Sequence, residues 1–195
     1  MKKITMKKGF TLVEVMVTLI ITVIVVGVSS ALVITGTNIF ARSAQRDVQT
    51  NIAETVLTFV SDQLLYAESI EQILSNPPVP TPAKAVMIIK ANDNATASDV
   101  KGQLYFSRAG DTPERNIFGN AFYQNYQVGI DIKIEDQGAG SMATITVSVY
   151  NRAGTNVVLS RSSTKNLLNY GGPVPATFPN GGSGFAIQYV PVIFE

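Results

Sequence analysis

A run of apolar residues opens at Phe10, continues to about Ile34, and follows a leader that carries lysines at positions 2, 3, 7 and 8. From Val15 to Ile34 only Thr18, Thr22, Gly27, Ser29 and Ser30 interrupt it. Some 20 helical residues at ~1.5 Å each reach roughly 30 Å, the thickness of a bilayer's hydrocarbon core. Lysines placed before such a segment stay cytoplasmic. The expectation is a single-pass segment of the cytoplasmic membrane, N-terminus inside, with the rest of the chain facing outward.

One residue does not suit a plain anchor. Glu14 sits five residues into the run, where a carboxylate is costly in lipid and needs a partner. Two simpler readings exist. In one, the lysines and apolar core form a cleaved export signal ending at Ser29-Ser30-Ala31. In the other, the segment is an anchor and nothing more. Neither gives Glu14 a purpose.

Lys8-Gly9-Phe10-Thr11-Leu12-Val13-Glu14 resembles the processing site of type IV prepilins and the pseudopilins of related machines. The likeness covers roughly residues 1–40. It implies that a prepilin peptidase cuts between Gly9 and Phe10 and methylates the amine of Phe10. Such an amine keeps its charge, and among apolar helices it needs a carboxylate, which Glu14 of a neighbouring subunit supplies. The small Gly9 suits a narrow protease subsite. The pair of charges would set the register between subunits, as a buried polar residue does in a coiled coil.

The apolar pattern runs on beyond the membrane segment. Phe40, Ala44, Val48, Ile52, Val56, Val60 and Leu64 recur every four residues, with Ala53, Leu57 and Leu65 beside them. This predicts an amphipathic helix whose stripe faces a globular domain. No proline occurs in residues 10–74, so one helix of about 97 Å is expected, ended by Pro77-Pro78, Pro80 and Pro82 and weakest at Gly27 and Gly36. Where many major pilins carry a helix-loosening proline, this chain has Ala31.

Beyond Pro82 the period falls to two. Candidate strands are residues 84–90, 102–107, 126–135, 143–151, 156–162 and 185–194, with Pro191 marking an edge or a strand end. Residues 136–141 and 152–155 read as turns, which makes strands three to five an antiparallel meander. Residues 118–126 and 170–184 read as loops. The predicted class is α+β, a long helix packed on an antiparallel sheet, which is also the pilin fold. The division is a leader at 1–9, a transmembrane or filament-core helix at 10–34, an amphipathic half at 35–76 and a β-rich head at 77–195.

Composition removes several function classes. With no His and no Cys, the chain has no Ser-His-Asp triad, no Cys nucleophile and none of the usual zinc sets. No phosphate-cradling glycine loop is present; Gly181-Gly182-Ser183-Gly184 lacks a following lysine and reads as linker. Removing residues 1–9 leaves 11 basic and 14 acidic residues, a net of −3, which offers no nucleic-acid footprint. Asn92-Asp93-Asn94 with Asp99 lacks the glycine and terminal glutamate of a calcium loop and reads as solvated. Phe118, Phe122, Tyr123 and Tyr126 read as core or domain-edge packing, with an exposed aromatic patch as the alternative.

No enzyme, cofactor or metal is expected. By resemblance the function is structural: a subunit, more like a minor pilin, of a type IV pilus or a related pseudopilus. Its implied partners are the prepilin peptidase, other pilins, the assembly platform and the membrane, and its final place is the cell surface. The rivals are a tip subunit that binds surfaces, a competence or secretion pseudopilin, and an anchored exported enzyme.

Overall fold

The computed structural model describes residues 9–72, 84–91, 99–108, 115–136, 140–172, 176–178 and 186–191. Helix α1 (Leu12–Leu64) comes first, followed by strand β1 (Ala67–Gln72), β2 (Ala85–Lys90), β3 (Gln103–Ser107) and β4 (Arg115–Asn116). Then come helix α2 (Gly119–Tyr123) and strands β5 (Gln127–Asp136), β6 (Ser141–Tyr150), β7 (Val157–Leu167), β8 (Ala176–Phe178) and β9 (Ala186–Pro191). A long apolar helix followed by antiparallel sheets is the α+β arrangement expected.

Two units divide the chain, one up to Arg46 and one from Asp47 onward. In the first, the helix runs unbroken through Gly27 and Gly36. Nearly half of its helical residues are β-branched, a weak helix former in water, but in hydrocarbon only intrahelical bonds can satisfy the backbone. The apolar side chains of this unit are exposed, Phe40 by 77%. The expected stripe therefore starts later than its period suggested. Phe40 and Ala44 are exposed, Val48 packs partly against the core, and the buried row is Ile52, Ala53, Val56, Leu57, Val60, Ser61 and Leu64.

The helix also stops earlier than expected, at Leu64, well before the prolines, which lie outside the described residues. Ala67 and Ile70 continue the three-to-four residue spacing of the stripe, yet they belong to β1. A strand alternates its faces with period two, so residues three apart should point to opposite sides. The ladder between β1 and β9 shifts register between Ala67 and Ile70, and the shift brings both side chains into the core.

The second unit holds two sheets where one was expected. The larger has the order β1-β9-β2-β3-β4, the smaller β7-β6-β5-β8, and every pairing is antiparallel. The meander of β5, β6 and β7 stands as expected, with an unshifted ladder from Gln127↔Tyr150 to Asp136↔Ser141. Val128, Ile130, Ile132 and Ile134 of β5 and Ala143, Ile145, Val147 and Val149 of β6 share one core cluster with the buried row of α1. Strand β2 lies between β9 and β3 and is buried throughout. Met87 and Ile89 join the main core, while Val86 and Ile88 form a second cluster with Tyr105 and Ala186. Pro191 closes β9, as a strand end.

The segments read as loops contain α2 and β8. Tyr123 and Tyr126 are buried, and Phe118 and Phe122 are partly buried against the core, so packing accounts for all four. The Leu104 amide donates to the Tyr123 phenol oxygen at 3.0 Å, and burial raises the Tyr123 pKa well above the ordinary tyrosine value. Asp99 accepts the Ala91 amide at 2.7 Å; residues 92–94 of that cluster and 181–184 of the glycine run lie outside the described residues.

A pair of backbone bonds joins the sheets: Gly102 and Val128 exchange N–H to carbonyl bonds at 2.9 and 2.7 Å. A Cβ on Gly102 would run into the backbone carbonyl of Lys90, which no side-chain rotation can relieve. Gly102→Ala is therefore expected to destabilise the head by about 1–3 kcal/mol, the usual range for overpacking. Thermal unfolding of the detergent-solubilised full chain measures this, and an unchanged midpoint would show that the junction yields.

Candidate functional site

The sequence placed its function at Gly9, Phe10 and Glu14, and the structure shows what surrounds them. Gly9 and Phe10 precede the helix, and Phe10 is 83% exposed. Leu12 is the first helical residue, so Thr11 stands at the N-cap and Glu14 in the first turn. The Thr11 amide and the Thr11 hydroxyl both donate to Glu14 Oε2, each at 2.9 Å. In return the Glu14 amide donates to Thr11 Oγ1 at 3.3 Å. This is a reciprocal capping box. It satisfies two of the N–H groups that every helix start leaves unpaired.

The carboxylate also lies where the helix dipole favours negative charge. A residue out of place in an apolar run is thus well placed at a helix terminus. Only one of its oxygens is used. Among the described residues Glu14 Oε1 has no partner, so it remains open to a further donor.

Thr11 is the residue that sequence reasoning passed over. The signal was present, because Thr11-Leu12-Val13-Glu14 is a Thr-x-x-Glu sequence immediately ahead of an apolar helix. Attention to the acid alone hid its partner three residues upstream.

The rest of the run conceals its polarity. Thr18, Thr22, Ser30, Thr35 and Thr37 each donate a hydroxyl back to a helix carbonyl, at 2.7–2.9 Å. No hydroxyl among these five calls for an outside acceptor. Helix α1 is long and apolar enough to cross a membrane, and none of its most apolar stretch is buried within the chain. A soluble core helix would be buried, so this one requires a membrane or other helices to cover it.

The model of the prokaryotic N-terminal methylation motif matches residues 4–30. The match contains Gly9, Phe10, Thr11 and Glu14 and ends inside the apolar run. No curated protein and no solved structure matches the chain.

Removing the cap hydroxyl tests the capping box directly. An N-cap Thr→Ala change commonly costs about 1 kcal/mol, which corresponds to roughly fivefold faster exchange of the amide it caps. Thr11→Ala is expected to show this at the Glu14 amide by NMR hydrogen exchange of the full chain in micelles. Thr11→Ser should stay close to the parent protein. Equal exchange in all three would remove Thr11 from the account.

Proposed function

We propose that this chain, whose stem carries the methylation motif of type IV pilins and pseudopilins, is a structural subunit of a type IV pilus or a related pseudopilus. The observation that carries the reading is the combination of that motif with an exposed apolar helix whose only early acid is held at the helix start. In this reading residues 1–9 are a cytoplasmic leader and the segment from Phe10 to about Ile34 is membrane-inserted until assembly. After assembly the same segment lies in the filament core, and the β-rich head is displayed at the cell surface.

Each residue then has a defined part. Cleavage after Gly9 frees an ammonium on Phe10, and methylation keeps its charge. Glu14 Oε2 is occupied by Thr11, while Oε1 can accept the amine of an adjacent subunit. An ammonium and a carboxylate removed from water together are far better off paired than apart, so subunits that meet with the pair out of register are disfavoured. The prepilin peptidase is the partner closest to these residues; other pilins and the assembly platform follow from the filament role.

A finer reading assigns the chain to the minor subunits. What supports it is the long head together with the late segment from Val157 to Asn169, which resembles minor pilins and minor pseudopilins. Binding at a filament tip is a second role for the same head. Among the described residues there is no group of three or more His, Cys, Asp or Glu side chains that could hold a metal ion.

Mass spectrometry of sheared surface filaments tests the whole reading in one measurement. The mature chain should begin with a methylated Phe10 and be present at low stoichiometry. Filaments built chiefly of this chain would make it a major subunit. Recovery of chains that keep the lysine leader would end the pilin reading. A bulky residue at Gly9 is expected to leave the leader attached. Glu14→Ala should still be cleaved but should be depleted from filaments by tenfold or more, the consequence of leaving one charge unpaired.

A further inference from the structure

The head carries a second feature that the stem chemistry does not use. A groove runs along the solvent side of α1, between its second half and the turn that carries Phe118. Glu54 and Asp62 stand eight residues apart on α1, about 12 Å along a helix, with Thr58 midway between them. Thr58 and Thr55 are small, so nothing fills the space between the two carboxylates. The wall is aromatic: Phe59 and Phe118 meet edge to face, with ring centres 5.8 Å apart. Phe118 is braced from behind by Phe122 at 4.7 Å. The lining thus offers two carboxylates, two ring faces and no cation.

Carboxylates beside aromatic faces select a guanidinium. Arginine forks onto a carboxylate, lies flat on a ring, and is weakly enough hydrated to leave water for such a site. Glu54 already meets Arg161, but the contact is 3.7 Å long, made by Nε, and exposed on both sides. An ion pair of that kind contributes little and exchanges readily. Asp62 has no ion partner among the described residues.

Helix α1 itself shows the matching chemistry. Arg42 and Arg46, one helical turn apart, follow the apolar run; both are exposed and neither has a carboxylate partner among the described residues. We propose that the groove between α1 and Phe118 docks the arginine-bearing helix of a neighbouring filament subunit, with one guanidinium toward Asp62 and the other toward Glu54. The proposal rests on the filament reading and adds to it a contact made by the head, distinct from the amine and carboxylate of the stem.

The chain has no cysteine, so Thr58→Cys gives a unique attachment point in the middle of the groove. A benzophenone maleimide placed there and irradiated in sheared filaments should cross-link to a helical segment of a filament subunit with two arginines one turn apart. Residues 42–46 of a second copy are one such segment. Asp62→Arg is expected to lower incorporation about tenfold, the loss of one charge-assisted contact, and Asp62→Glu to restore it. Filaments containing this chain with methylated Phe10, but with the cross-link on a neutral or acidic segment or absent, would overturn the groove and leave the filament reading intact. Normal incorporation of Asp62→Arg would do the same. Absence of the chain from filaments, with its leader uncut, would overturn both.

Discussion

A carboxylate at the head of a hydrocarbon-spanning helix must be given donors, and the other features of the stem follow from how that is done. The chain supplies them itself, an amide and a hydroxyl from Thr11. In return the box pairs the Thr11 and Glu14 amides, which the helix start would otherwise leave open. One pair of residues thus settles two problems at once, and leaves a single oxygen facing outward. Elsewhere in the run the chain follows the opposite policy, turning each of five hydroxyls inward onto its own backbone. The contrast sets Glu14 apart from these five, because one of its oxygens faces outward.

Helix α1 meets two different demands with one backbone. Before Arg42 its side chains are apolar on every side, which suits lipid or a bundle of like helices. From Val48 onward the apolar residues fall in a stripe that completes the core of the head. Its other side there is polar and keeps the row of Glu54, Thr58 and Asp62 in solvent. The head takes one side of this half, and the remaining side is left to solvent.

Much of this was legible in the residues. The apolar run and Glu14 mark the stem, and the alternation in residues 126–162 marks the meander, because a half-buried strand must alternate. Three features were not. The end of α1 was hidden because Ala67 and Ile70 keep a helical spacing, and only a register shift against β9 turns that spacing into a strand. The junction between the two sheets passes through Gly102, whose need to be glycine, the nearness of the Lys90 carbonyl, is set by the tertiary fold. Strand β4 has two residues and β8 three, too few for any period to show. At the stem, Thr11 was readable from its spacing, whereas the groove beside Phe118 required knowing which way the aromatic residues turn.

The order of strands in the larger sheet has a consequence for how the protein matures. β9 lies between β1 and β2, so nearly the whole head separates it in sequence from its first neighbour. Pairing strands so distant is slow, because a long loop must close before any contact rewards it. Synthesis from the N-terminus yields the stem early and β9, second in the order of this sheet, after every other described strand. Until β9 arrives, β1 and β2 have no partner on their facing edges. The sheet is keyed by β9, so a chain interrupted before that strand would keep its stem and leave this sheet open between β1 and β2.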